Sequence, residues 1–265
     1  MNIGICGISG RMGHAILRIM VERGHRLSAA FDSTTSPLIG KNAKEIVNSP
    51  LADCQVKAIT SEALEGTDCI IDFSAPGATL NLAEILKDKR IPLVIGTTGF
   101  TVEEVEKIRQ YSQYIPVILS PNMSLGVNLL FKLTEIASKA LTIDYDVEIF
   151  EAHHRFKKDA PSGTAKRLLE EVRKNMKGLS DAREVDGREG ITGERSSNEI
   201  GMHALRGGNI IGEHTVFFVG MDDRIELTHR AASRDVFARG AVAAAEFLAD
   251  KPAGFYTMYD VLGFK

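Results

Sequence analysis

The chain has 265 residues, 44% hydrophobic and 25% charged, with a formal net charge of −3. That near-neutral balance, with no long basic run, argues against a dedicated nucleic-acid binder, and no apolar run approaches membrane-spanning length. The chain opens directly on a strand-like MNIGIC, so no secretory leader is expected, and its three cysteines (Cys6, Cys54, Cys69) lack C-x-x-C spacing and read as free thiols of a cytoplasmic protein.

Residues 2–6 read as a short buried strand, followed by Gly7-Ile8-Ser9-Gly10-Arg11-Met12-Gly13 and a helix carrying Ile16, Leu17, Ile19 and Met20. A second strand, Leu27 to Phe31, ends at Asp32. Strand, glycine turn, helix, strand and acid is the layout of a dinucleotide-binding unit. The glycines let the backbone approach a pyrophosphate, the helix N-terminus stabilises its charge, and the acid bonds ribose hydroxyls. The spacing is G-x-x-G-x-x-G rather than G-x-G-x-x-G, which weakens the bare motif; the placement between strand and helix restores its weight. The acid is followed by Ser33, Thr34, Thr35 and Ser36, with no adjacent Arg or Lys. A 2′-phosphate would find no obvious partner there, so the local chemistry leans to NADH, with NADPH reachable through Arg11 or Lys41.

The α/β alternation continues. Cys69 to Phe73 reads as a strand, and a helix beginning near Pro76 runs through Leu82, Ile85 and Leu86. Pro92 to Ile95 is a strand ending in Gly96-Thr97-Thr98-Gly99, a helix spans 101–113, and the strand Ile115 to Leu119 ends in Ser120-Pro121-Asn122-Met123. In an open parallel sheet, ligands bind beyond the carboxyl ends of the strands. Gly7, Ser74, Thr97 and Asn122 would share that edge, and the 96–99 and 120–123 turns are candidate nicotinamide and ribose contacts.

After residue 124 the pattern changes. A helix through Val127, Leu130, Leu133 and Ile136 precedes a strand, Tyr145 to Phe150, and then Glu151 to Thr164, EAHHRFKKDAPSGT. Here His153, His154, Lys157 and Lys158 stand close together, and Ser162 is placed to cap a helix carrying Leu168, Leu169, Val172 and Met176. The amides of Gly163 and Thr164 at that helix start are expected to favour an anion such as a carboxylate. The stretch suits protonating and holding an acidic small molecule. A metal site is not expected, because neighbouring strand positions point to opposite faces and no third ligand lies at familiar spacing. Residues 178–198 read as a long exposed loop, and Glu199–Leu205, Ile210–Val219 and Arg224–Ala231 as consecutive antiparallel strands of a second, α+β domain. An Ala-rich helix, 235–249, and a short tail close the chain.

These residues resemble the 4-hydroxy-tetrahydrodipicolinate (dihydrodipicolinate) reductase family nearly end to end. The most specific part is Glu151 to Ala165, which looks like the family's E-x-H-H-x-x-K-x-D-A-P-S-G-T-A. Gly7 to Gly13, Asp72-Phe73-Ser74, Gly96 to Gly99, Asn122 to Asn128, His229-Arg-Ala and Phe237 to Ala241 also fit.

The resemblance implies an NAD(P)H-dependent oxidoreductase of diaminopimelate and lysine biosynthesis that acts on a cyclic imine dicarboxylate. It implies a Rossmann-like nucleotide domain (1–124 with 234–265) and a substrate domain (125–233), joined by two hinges, with a homotetramer built through substrate-domain sheets. It makes His153 the catalytic acid/base and Lys157 the proton donor, with His154, Lys157, Gly163 and Thr164 contacting substrate. Gly7, Ile8, Ser9, Gly10, Arg11, Met12, Asp32, Gly96, Thr97, Thr98, Ser120, Pro121, Asn122 and Met123 correspond to the nucleotide site. Ser33 departs from members that place an arginine there for the NADPH phosphate. The alternatives are a Rossmann dehydrogenase for another small acid, which a substrate panel would reveal, and a nucleotide-sensing regulator, which would bind nucleotide without turnover.

Overall fold

Short apolar runs separated by glycine turns become the strands of a parallel sheet in the computed structural model, which describes residues 1–264. Two units are present, residues 1–125 with 235–264, and residues 126–234.

The first unit contains β1 (Asn2–Cys6), α1 (Arg11–Glu22), β2 (Arg26–Phe31), α2 (Lys44–Val47), β3 (Val56–Lys57), β4 (Cys69–Asp72), α3 (Pro76–Lys89), β5 (Leu93–Ile95), α4 (Val102–Tyr111) and β6 (Pro116–Leu119). Its seven strands lie in the order β12-β6-β5-β4-β1-β2-β3, each neighbour pair parallel, where β12 (Gly254–Tyr256) comes from the end of the chain. The order reverses between β1 and β4, the switch point where an open α/β sheet offers a crevice at its carboxyl edge. Both faces are covered. Ile3, Ile5 and Ile71 meet Ile16, Leu17 and Met20 of α1 on one side. Ile70, Leu93 and Val117 meet Leu82, Leu86 and Ile108 of α3 and α4 on the other. Burial on both faces explains why these strands read as continuous apolar runs rather than alternating ones. Each fully buried Ile or Leu contributes roughly 2 kcal/mol, so the register is strongly specified.

The second unit contains α5 (Leu125–Ala140), β7 (Asp146–His153), α6 (Gly163–Asn175), β8 (Arg183–Asp186), β9 (Glu199–Arg206), β10 (Glu213–Val219) and β11 (Arg224–Arg230). The sheet order is β11-β10-β7-β9-β8. Two expectations are corrected here. Residues 178–198 are not wholly loop, because β8 pairs in parallel with β9. Arg188 and Arg195 then anchor the remainder to Glu148 at 2.9 and 3.0 Å, so the segment is held by ion pairs and carries no apolar period. Nor are the three later strands consecutive neighbours. β10 pairs antiparallel with β11 and β7, whereas β9 runs parallel to β7 on the far side. A parallel partner some fifty residues earlier in the chain leaves no local sequence signal.

Two helices complete the chain. The Ala-rich α7 (Asp235–Leu248) belongs to the first unit, where Arg18 of α1 grips Asp235 at 2.8 and 2.9 Å. Small residues permit a close approach: a Cβ on Gly240 would lie 1.7 Å from the Met123 carbonyl oxygen. The tail is more ordered than a bare tail, forming β12 and then α8 (Met258–Val261).

Candidate active site

In the first unit the sheet's carboxyl edge gathers the predicted nucleotide residues. Gly7 leaves β1 at φ +81°, and a Cβ there would sit 2.3 Å from the Phe73 carbonyl oxygen. A Cβ on Gly13 would sit 2.3 Å from the Gly7 carbonyl oxygen. Glycine is therefore required at both places, once for conformation and once for the approach of α1 to the turn. Gly10 precedes α1 with no side-chain cap, which suits an anion at the positive end of the helix. Asp32 follows β2 directly, and its Oδ2 accepts from the Ser9 amide at 2.7 Å while Oδ1 accepts from the Ser33 amide at 2.8 Å.

A cavity of about 670 Å³ opens beside these groups, lined by Gly7, Ser9, Asp32, Ser33, Phe73 and Asn81 among others. Among the described residues that line it there is no Lys or Arg. A glycine turn without obstructing side chains, a helix start and a carboxylate bordering the cavity together fit a dinucleotide. Ile8 and Met123 can offer only backbone, because both are buried in the core, and the partly buried Met12 packs against it. Arg11 is exposed at the helix start. Thr97 is buried, Thr98 exposed, and Ser120 donates to the Asn122 carbonyl at 2.8 Å, shaping the 120–123 turn.

The same edge holds a group not assigned from sequence. Asp72, fully buried at the end of β4, accepts hydrogen bonds from the hydroxyls of Ser74 (2.5 Å), Thr97 (2.9 Å) and Thr79. Thr97 in turn accepts from the Ser74 amide at 2.9 Å. One carboxylate thus ties together the turn after β4, the start of α3 and the turn after β5. Burial pushes the Asp72 carboxyl up, opposed by its hydroxyl donors, and burial followed by the Asp72 charge pushes the neighbouring Cys6 thiol up.

In the second unit His153 ends β7 and His154 follows it. Lys157 donates to Asp159 at 2.9 Å, and its amide bonds the His154 carbonyl at 3.1 Å, folding the cationic loop back on itself. Ser162 caps α6 as expected, accepting from the Ala165 amide at 3.2 Å, with Gly163 and Thr164 in the first turn. The unit therefore gathers His153, His154 and Lys157 with the start of α6. His154 Nδ1 is buried without a hydrogen-bond partner among the described residues.

Three groups here were not singled out from sequence. Glu151, fully buried, accepts from Arg206 at 2.8 and 2.7 Å and from the Ser162 amide at 3.1 Å, and bonds His153 Nδ1 at 2.6 Å. His214 bonds the Ser162 hydroxyl through Nε2 at 3.1 Å and stands edge-on to His153, with ring centroids 5.2 Å apart. Burial pushes the Glu151 carboxyl up, but its bonds to His153 and Arg206 outweigh that and hold it down at about 2. Burial, reinforced by His153, pushes His214 down to about 3, so it stays neutral. Glu151 was legible only as part of a motif. Arg206 and His214 reach the site through β9 and β10, and nothing near them in sequence marks that. Among the described residues no cluster of His, Cys, Asp and Glu could hold a metal ion, and no helix is long and apolar enough to cross a membrane.

Comparison with known proteins supports the same picture. Residues 1–123 match the family described as dihydrodipicolinate reductase, N-terminus, and residues 126–262 match dihydrodipicolinate reductase, C-terminus. The chain is 44% identical over 266 residues to a 4-hydroxy-tetrahydrodipicolinate reductase of Nitrosomonas eutropha, covering 100% of this chain and 99% of that protein. It is 47% identical over 268 residues to the enzyme of the same name from Nitrosospira multiformis, covering 100% and 98%. Its fold is similar to that of a dipicolinate-bound dihydrodipicolinate reductase from Paenisporosarcina sp. TG-14, with a TM-score of 0.75, 22% identity and 98% of each chain covered.

Proposed function

The chain belongs to the dihydrodipicolinate reductase family, and we infer from that membership and from its two sites how it carries out the family's reaction. It is an NAD(P)H-dependent oxidoreductase that reduces 4-hydroxy-tetrahydrodipicolinate to tetrahydrodipicolinate in diaminopimelate and lysine biosynthesis. The first unit is the nucleotide domain and the second the substrate domain. The protein is placed in the cytoplasm with that biosynthetic reaction.

In this reading the glycine turn, the start of α1 and Asp32 hold the dinucleotide, and the Asp72 cluster sets the turn that carries Thr97. When bound, reduced nicotinamide supplies hydride to C4 of the substrate ring. Water is eliminated from the ring, hydride adds at C4, and the resulting enamine anion takes one proton. His153 is the acid/base and Lys157 the ammonium donor in that step, an imidazole and an ammonium each being able to hand over a proton. The start of α6, with Gly163 and Thr164, receives one carboxylate, and His154 receives the other. Holding the imine in one orientation lowers the entropic part of the barrier.

The observation that carries this assignment is the grouping of His153, His154 and Lys157 with the capped start of α6 in one unit. NADH is the favoured coenzyme, with NADPH also used, because a carboxylate and Ser33 border the cavity and, among the described residues, no Lys or Arg lines it. A homotetramer through the second sheet is supported by the face opposite Glu151, where Phe150 and Phe217 are half-buried and Leu205 is exposed. Light scattering of the purified protein measures that assembly.

The test is oxidation of NADH and NADPH in parallel, with substrate made in situ from pyruvate and aspartate semialdehyde by the preceding synthase. Turnover supports the reading, and the ratio of kcat/KM values reports the coenzyme preference. Nucleotide binding by folded protein without turnover would point instead to a sensor.

A further inference from the structure

The three histidines grouped near the end of β7 differ in what faces them. His214, from β10, meets the Ser162 hydroxyl and the edge of His153. His229, its cross-strand neighbour on β11, has a buried Nδ1 with no partner among the described residues. Of the three, His153 alone meets a carboxylate among the described residues. That carboxylate, Glu151, is gripped from the other side by both terminal nitrogens of Arg206 on β9. Arg206 also donates to the Asp159 carbonyl at 2.7 Å, which ties the loop carrying Lys157 to the same pair. The groups that meet His153 or its partners are thus Glu151, Arg206, His214, His229, Lys157 and Asp159.

A carboxylate saturated by a guanidinium and a backbone amide only accepts hydrogen bonds. The 2.6 Å contact therefore requires a proton on His153 Nδ1. Nε2 is left for other work, and space is kept there: a Cβ added to Gly212 would lie 3.1 Å from Nε2. His153 also remains partly exposed, with 13% of its side chain accessible. We propose that Glu151, clamped by Arg206, is the positioning residue that fixes Nδ1 of His153 as a permanent donor and makes Nε2 the atom that exchanges the proton during turnover. This rests on the assignment of His153 as the acid/base. The lowered pKa of Glu151 agrees with it, since the carboxylate stays ionised wherever the enzyme works.

The decisive measurement is imidazole ¹⁵N NMR of the whole labelled enzyme across pH, with His153 signals identified by their loss in His153→Ala. The expected result is that Nε2 loses its proton as pH rises while Nδ1 keeps its own. A neutral His153 protonated at Nε2 in the wild type overturns the proposal, whatever any variant does. Glu151→Gln should shift the tautomer toward Nε2–H and lower kcat on the order of 10²–10⁴-fold, as loss of the tautomer-setting partner does in other acid/base histidines, while coenzyme Kd is unchanged. Gly212→Ala should lower kcat with the tautomer retained. Full activity in Glu151→Gln with an unaltered pH profile also sinks the idea. Full activity in His153→Ala would instead remove the acid/base assignment and leave the tautomer result standing, so the two failures are distinguishable.

Discussion

The Ser9 amide donates a 2.7 Å hydrogen bond to Oδ2 of Asp32, closing the glycine turn after β1 onto the end of β2. The Ser33 amide occupies the other oxygen. The carboxylate that a ribose would engage is thus held in place by the loop that would hold the pyrophosphate, and both ends of the nucleotide site are set together.

Coenzyme choice is the first consequence. Ser33→Arg would place a cation beside a cavity that has none along its lining among the described residues. A charge-assisted bond to the 2′-phosphate is worth about 1.5–3 kcal/mol, so the NADPH-to-NADH ratio of kcat/KM should rise about tenfold or more. Parallel steady-state kinetics with both coenzymes reads this directly. An unchanged ratio would place the 2′-phosphate elsewhere, toward Arg11 or Lys41.

Proton delivery is the second. His153→Ala and Lys157→Ala should each lower kcat by roughly 10²–10⁴-fold with little change in coenzyme affinity, since both residues lie in the other unit from the glycine turn. Steady-state assays with fluorescence titration of NADH separate the two effects. A variant keeping most of its kcat is not a proton donor.

Asp72 is the third. Asp72→Ala leaves the Ser74, Thr79 and Thr97 hydroxyls without their shared acceptor in the sheet edge. At about 1–3 kcal/mol for stranding a buried polar group, the variant should melt several degrees lower and bind NADH more weakly. Asp72→Asn keeps acceptor capacity on one oxygen and should lose less of both. Calorimetry with NADH titration checks the order; equal NADH affinity in all three proteins would remove Asp72 from the nucleotide site.

Acid sensitivity is the fourth. His214 takes up a proton near 6.5 in the unfolded chain but only near about 3 when folded. A depressed folded value means stability is full above 6.5 and is lost as pH falls toward 3. Glu151 and Glu148 are both held near about 2 against an ordinary 4.5, the first by His153 and Arg206 and the second by Arg188, His203 and Arg195, in each case against burial. Their losses begin lower, as pH falls from 4.5 through 2. Between 6.5 and 4.5, then, His214→Gln should flatten the decline in stability by up to about 1.4 kcal/mol per pH unit, the slope of one proton. Denaturant unfolding midpoints across that interval measure it, and parallel curves for variant and wild type would show that His214 titrates normally.

Local chemistry determined much of this protein. The run Ile3 to Cys6, the glycines at 7 and 13, and Asp32 at a strand end specify a βαβ unit, because strand period, turn conformation and helix capping act over a few residues. The stretch from Glu151 to Thr164 likewise marked its histidines, its lysine and its helix cap, all of them neighbours in the chain. Tertiary structure alone decided what those groups face. Pairing of β9 with β7 sets Arg206 against Glu151, and pairing of β10 with β7 brings His214 to His153. The β1–β4–β5 order brings Thr97 to Asp72. These contacts join residues that are 25 to 55 positions apart in two of the measured cases. Strand order is chosen by the burial of whole sheet faces, a sum over many residues that no short window contains.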